Sequence, residues 1–208
     1  MRHTPDYLLE DVEEVKRLIR DNPWGTFVSA TSHGLIASHY PVVLEEDVEG
    51  ISIVSHVGRP DDTLHELGQH ELLLIIQGPH GYISPSWYPD PHDVIPTWNH
   101  VTAHLYGQPE VLDPETNFEV LRDLVDHFEA PMPEPRALST GEEMNRAVSR
   151  GTVGLRLRVD RFDARLKLSQ NRPESVREGI TAELRGDGPY AQPALADEMD
   201  RVDGVSDE

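Results

Sequence analysis

Apolar residues recur at helical spacing through Leu8, Leu9, Val12, Val15, Leu18 and Ile19, with acids and bases between them, which predicts an amphipathic helix over 8–20. Asn22-Pro23 stops it, because proline disfavours the helical conformation in the residue before it. From Trp24 the period falls toward two. The stretches 24–31, 35–44 and 50–57 are strand-length and separated by turns rich in Ser, Gly and Asp, so antiparallel neighbours are expected. A short helix is expected at 61–68, after Arg59-Pro60. The stretch 71–77 is apolar on both faces and reads as a central strand.

Residues 78–99 carry Pro85, Pro89, Pro91 and Pro96 and read as an ordered loop. Val101, Ala103 and Leu105 then alternate with His100, Thr102, His104 and Tyr106, giving a strand with one buried face. Asp113-Pro114 is an N-cap followed by proline at the first helical position, and Phe118, Leu121, Leu124, Val125 and Phe128 supply that helix with an apolar stripe. A second helix is expected from Ser139, with Glu142 completing a capping box. Residues 151–161 alternate again, and a change of parity predicts a bulge near Asp160. Asn171 reads as the cap of a helix carrying Val176, Ile180 and Leu184; another starts at Pro193, and 203–208 should be disordered. Six or seven antiparallel strands with helices outside them make a Greek-key barrel of the α+β or mainly-β class. The main domain is expected over 1–186, with a helical insertion at 113–149 and a C-terminal helix and tail at 187–208.

Composition narrows the possible partners. The 38 acidic against 18 basic residues give a formal charge of −20, a surface that repels nucleic acid unless basic residues segregate locally, and no Lys/Arg cluster does so. The absence of cysteine removes disulfides and thiolate chemistry. Met1-Arg2-His3-Thr4-Pro5-Asp6 lacks the apolar stretch of a signal peptide and no segment is apolar enough to span a bilayer, so a cytoplasmic protein without membrane contact is expected. The 11 histidines invite a metal reading. However, His100 and His104 on one strand face stand roughly 13 Å apart, too far to share an ion, so no metal site is expected.

Three segments carry a resemblance: Gly78-Pro79-His80-Gly81-Tyr82-Ile83-Ser84-Pro85-Ser86-Trp87-Tyr88, Pro96-Thr97-Trp98-Asn99, and Lys167-Leu168-Ser169-Gln170-Asn171. With Ser38-His39-Tyr40-Pro41 and His56-Val57-Gly58-Arg59-Pro60, the chain resembles the PaiB family of FMN-binding proteins from about Asp6 to Leu184. The resemblance implies an FMN-binding split β-barrel that works as a homodimer, with flavin sites made from both chains. Where the family usually has an asparagine after the arginine turn, this chain reads Arg59-Pro60-Asp61, and an acid there weakens phosphate binding.

FMN has a planar ring system, a ribityl chain and a phosphate, so its site needs apolar walls, amide or hydroxyl partners and a cation. Arg59, with Ser55 and His56 on the preceding strand, suits the phosphate and ribityl end. The alternative is a surface pair of Arg59 with Asp61 or Asp62. Lys167, Ser169, Gln170 and Asn171 suit flavin carbonyl edges or phosphate, and the alternative there is a strand end in which Asn171 only caps the next helix. Trp98 and Asn99 offer a stacking surface and an amide, while Tyr82, Ser84 and Trp87 line the same cleft or the dimer seam. No catalytic residue is identifiable, since flavin chemistry rests largely on the cofactor. The functions implied are a flavin-dependent oxidoreductase acting with an unidentified small-molecule substrate or electron donor, or a negative transcriptional regulator. The −20 charge disfavours direct DNA binding. A third reading, haem binding through His80 or His104, follows from other split barrels.

Overall fold

The computed structural model describes residues 4–92 and 94–205. The expected N-terminal Met1–His3 and the end of the tail, 206–208, lie outside the described residues. The strands are β1 (Leu8–Leu9), β2 (Trp24–Thr31), β3 (Gly34–Leu44), β4 (Ser52–Gly58), β5 (Leu72–Ile83), β6 (Thr97–Gly107), β7 (Glu110–Val111), β8 (Thr152–Arg158) and β9 (Arg161–Lys167). The helices are α1 (Val12–Asp21), α2 (Asp61–Leu64), α3 (Pro114–Glu129), α4 (Glu142–Ser149), α5 (Glu174–Arg185) and α6 (Pro193–Val205). This is the antiparallel sheet with helices that the alternating stretches predict, with more strands than six or seven because β1 and β7 are two-residue pairings no period announces.

The contacts divide the chain into two compact units, the first drawn from Met1–Glu10, Gln77–Ala103 and Asp163–Glu208, the second from Asp11–Ile76 and His104–Phe162. In the second unit the hydrogen-bonded order runs from the start of β5 through β2, β3, β4 and β8 to β7. Its register sets Phe27 opposite Leu74 and Ile53 opposite Leu157. Those four side chains are buried together with Val15, Leu18 and Ile19 of α1, each burial stabilising the fold by roughly 1.5–3 kcal/mol. Val120 and Leu124 of α3 form a cluster with Val54 and Leu112. Gly154 admits Asn117 of α3, whose amide oxygen would sit 2.7 Å from a Cβ at that position, so any side chain there displaces the helix. In the first unit the order is β1, β9, β6 and the end of β5. Ile83, Val101, Ala164, Ile180, Leu184, Leu195 and Met199 are among its buried residues, and Arg185 of α5 ties down α6 through Asp197 and Asp200.

Several expectations are corrected. Leu8 and Leu9 belong to β1, and α1 begins only after Asp11, whose carboxylate accepts from the Glu13 amide at 2.8 Å. The cap outweighs the two apolar residues before it. Helix α2 ends at Leu64 instead of 68, with Glu66 in the left-handed region (φ 48°). Residues 78–83, read as loop, continue β5, because Gly78, Gly81 and Ile83 are buried and the proline at 79 does not interrupt the strand. No capping box forms at Ser139: Gly141 caps α4 with φ 81°, and the Glu142 carboxylate turns to Arg146 instead. The parity change near Asp160 is a break between two strands and not a bulge, since the Val159 amide donates to Ile51 and the Asp160 amide to Tyr106. Asn171 does not cap α5; Pro173 precedes it without a side-chain cap. Phe128 of the expected stripe is exposed, and helix α6 persists through 203–205 where disorder is expected. No helix is long and apolar enough to cross a membrane among the described residues.

Candidate functional site

The expected site residues fall into two groups, one in each unit. In the second unit, β3 and β4 present Ser38, Tyr40, Ser55 and His56, and the turn into α2 presents Arg59, Asp61 and Asp62. Ser55 is fully buried and its hydroxyl donates to the Pro41 carbonyl at 2.6 Å, so it holds β4 against β3. Arg59 donates through Nε to the Arg150 carbonyl (3.3 Å) and through its terminal nitrogen to Asp62 (2.8 Å), the ion pair that the sequence offered as the alternative to phosphate binding. His56 Nδ1 is buried without a partner, and burial pushes the imidazole pKa down. A neutral, unpartnered ring nitrogen of this kind is a ready partner for a ligand hydroxyl.

Asp61 is engaged within the chain. Its Oδ2 accepts from the hydroxyls of Ser38 and Tyr40, both at 2.7 Å, and these bonds hold its pKa below the usual carboxylate range. The Tyr40 hydroxyl in turn accepts from the Gly58 amide at 3.2 Å; burial, then Asp61, raises its pKa. Since the Ser38 proton points to Asp61, Ser38 Oγ must accept from His65 Nε2 at 3.0 Å. His65 Nδ1 is then left to accept from Ser29, 2.8 Å away. The network thus assigns the Nε2–H tautomer to a buried histidine whose pKa burial lowers against the pull of Asp61. Sequence reasoning missed this network, because Ser29 and His65 are 36 positions apart with no shared motif.

In the first unit β6, β9 and the turn after β9 build a cleft of about 340 Å³, lined by Thr97, Asn99, Lys167, Ser169, Asn171 and Arg172, with Tyr7 and Tyr88 among its walls. Lys167 donates to Thr97 Oγ1 at 2.5 Å and to the Trp98 carbonyl. Burial and then the neighbouring Arg172 lower its pKa. Asn99 is fully buried, its side chain bonded to Ser169 at 3.0 Å and to the Met199 sulfur at 3.5 Å. Ser169 has φ 63°, an uncommon conformation for a residue with a side chain, and it turns the chain so that its carbonyl accepts from the Arg172 amide at 2.9 Å. Gln170 braces the turn from behind, accepting from the Leu168 amide (2.7 Å) and donating to Leu166 (2.5 Å) and Asp6 (3.2 Å).

The remaining three expected residues, Tyr82, Ser84 and Trp98, lie in the same unit, two of them within an aromatic group. Trp98 is 56% exposed, with the His80 ring stacked 6.5 Å away and Tyr82 edge-on at 6.2 Å. Tyr82 also meets Tyr190 at 4.7 Å. Ser84 accepts from the Ser86 amide at 3.2 Å, capping the turn Pro85–Trp87. Tyr7, Tyr88 and Arg172 were not foreseen; the signal available for Arg172 was its place directly after the Lys167–Asn171 segment.

Comparison with known proteins follows the same lines. A family model described as "Putative FMN-binding domain" matches residues 1–161. The chain is 28% identical over 189 residues to the protease synthase and sporulation protein PAI 2 of Bacillus subtilis, covering 89% of this chain and 90% of that protein. It is 32% identical over 108 residues to an uncharacterized protein of Saccharomyces cerevisiae, covering 49% and 64% of the two chains. Among solved structures, a FAD and heme binding protein of Mycobacterium smegmatis superposes with TM-score 0.60 at 18% identity, over 88% of this chain and 81% of that one. The flavocytochrome Anf3 of Azotobacter vinelandii gives TM-score 0.59 at 16% identity, over 80% and 72%.

The residues present fit such a cofactor. In the first unit, the exposed indole of Trp98 and the cation with hydroxyl and amide neighbours at Lys167 supply apolar surface, hydrogen-bonding groups and positive charge, the three kinds of partner that a flavin mononucleotide needs. With the family model covering most of its length and the split-barrel fold in place, the chain belongs to the FMN-binding domain family, and FMN is its cofactor.

Proposed function

We propose that the protein is a homodimeric flavoprotein that moves electrons between FMN and a small molecule. The observation that carries this reading is the convergence of Thr97, Asn99, Lys167, Ser169 and Asn171, from two family-like segments about 70 positions apart, on one cleft with cation, hydroxyl and amide groups. Bound FMN supplies one- and two-electron redox chemistry, so the protein has to bind, orient and shield rather than provide a nucleophile. In the proposed arrangement Lys167 presents positive charge, Ser169 and Asn171 present hydrogen-bonding groups, and the exposed face of Trp98 presents a stacking surface.

Exposed apolar side chains support the dimer: Ile95 (82%) and Trp98 in the first unit, Leu35 (82%) and Trp24 (64%) in the second are surface that a second copy would cover. Purified protein is expected to be yellow, to release FMN on acid treatment, and to elute at twice the chain mass. A colourless, monomeric sample that fails to quench added FMN would overturn the reading. A flavin-linked regulatory role is the second reading, since the Bacillus subtilis relative is named for protease synthesis and sporulation. The formal charge of −20 favours action through a partner over direct DNA binding, and a gel-shift titration at low salt distinguishes the two.

A further inference from the structure

Each unit has a cleft with cations in its lining, and the two differ in what those cations already touch. In the second unit, Arg59 and Arg150 line a cleft of about 290 Å³ that also holds Asp62, and Arg59 pairs with that carboxylate. In the first unit, Lys167 and Arg172 line a cleft of about 340 Å³; among the described residues its lining contains no carboxylate and neither cation forms an ion pair. Each instead has an aromatic neighbour, with Lys167 Nζ 5.9 Å from the Tyr7 ring centre and the Arg172 guanidinium 5.7 Å from that of Tyr88.

The composition makes this arrangement informative. With 38 acids against 18 bases, a cation chosen without regard to function is expected to find an acid nearby. Two cations that share a cleft without one raise each other's electrostatic energy, and partial burial adds a desolvation cost that only a bound anion relieves. Lys167 spends two N–H bonds on Thr97 and Trp98 and keeps a third. Arg172 donates no side-chain hydrogen bond to a described residue, which leaves its planar fork free for two oxygens. Ser169 and Asn171 add polar groups, and the two tyrosines add ring faces.

We propose that this cleft receives the anionic group of an aromatic ligand, a phosphate monoester or carboxylate carried on a planar ring, with Lys167 and Arg172 as the anion-binding pair. The ligand is either FMN itself, through its phosphate, or a separate aromatic acid that meets the flavin as reaction partner. Only this choice of source rests on the flavin reading.

Phenyl phosphate is the probe, titrated calorimetrically into the full chain freed of FMN and again into the chain saturated with FMN, with flavin fluorescence followed in parallel. It is expected to bind with a Kd below about 1 mM, whereas phenol, lacking the anion, does not. Lys167→Gln and Arg172→Gln should each weaken binding at least tenfold at unchanged Tm, and Arg172→Lys should recover part of the loss. If FMN saturation abolishes binding, the anion is the flavin phosphate. If binding persists, the cleft serves a second aromatic acid. Equal affinity of the wild type and the double glutamine variant for phenyl phosphate would overturn the proposal. A wild type that quenches FMN yet ignores phenyl phosphate sinks the anion site alone, and one that binds phenyl phosphate but not FMN sinks the flavin reading alone.

Discussion

The turn from β4 into α2 and the turn from β9 toward α5 are both short, polar and rich in charge, yet they are finished differently. In the first, Asp61 is satisfied by Ser38 and Tyr40, Arg59 by Asp62, and His65 by two serines, so the charges are answered within the chain. In the second, Lys167 and Arg172 face a cleft whose lining holds no acid among the described residues. The difference separates charge that holds a turn together from charge held ready for something else. A closed network rewards the fold, since removing one member leaves the others unsatisfied. An open pair of cations costs the fold, and its return comes from a ligand.

The comparison is broken most severely at Asp61. Asp61→Ala removes the acceptor of two hydroxyls and should cost about 2–3 kcal/mol in urea unfolding while leaving phenyl phosphate affinity unchanged. A loss below about 0.5 kcal/mol would show that the network does not hold the turn.

Acid should act on the same network next. His65 is held neutral, with a folded pKa below its ordinary value of 6.5, so below that pH the unfolded chain takes up a proton that the folded chain refuses. Stability therefore falls as pH drops from 6.5 toward the folded value. The depressed Asp61 carboxylate contributes stability that is present above its ordinary value of 3.8 and is lost only as pH falls through its lower folded value. Thermal melts of wild type and His65→Gln between pH 7 and 5 check the first window, and the variant should show the shallower slope.

The open cleft should respond in the opposite sense. Lys167→Met removes a desolvated cation next to Arg172, so stability is expected to change by less than about 1 kcal/mol, the lost bonds to Thr97 and Trp98 being offset by relief of repulsion. Because burial and Arg172 lower the Lys167 pKa, anion binding should weaken as pH rises through a value below the ordinary 10.5, while the turn before α2 is unaffected there. Calorimetric titrations of phenyl phosphate from pH 7 to 10 follow this loss. The smallest effect is expected at Arg59, an exposed pair with Asp62, where Arg59→Ala should change stability by no more than about 0.5–1 kcal/mol. If that substitution instead reduces FMN affinity by tenfold or more, the pair opens for the flavin phosphate and the contrast between the two turns is sharper in stability than in binding.

Much of the fold was legible in local patterns. The alternation in β2, β6 and β8 and the Asp113-Pro114 start of α3 emerged where expected, since burial on one face and capping are local demands that leave a periodic trace. Where local signals competed, tertiary context chose. Proline-bearing residues 78–83 became strand because β5 continues there with buried Gly81 and Ile83, and the Glu142 carboxylate served Arg146 rather than a capping box. Within the candidate site, Lys167, Ser169, Asn171 and Asn99 were legible through family-like segments and do share a cleft, whereas Ser55 and Gln170, equally polar in sequence, are spent on backbone carbonyls and amides.

The sequence by itself determined the antiparallel class, the helices and the flavin-family segments, because these follow from residue spacing and from short motifs whose members are close in the chain. Tertiary structure alone decided which charges are paired. Arg59 has Asp62 three positions away and uses it, while Arg172 meets Lys167, Tyr88 and a cleft whose lining holds no acid among the described residues. Charge interactions depend on distance and desolvation in space, and neither quantity is written in the order of residues.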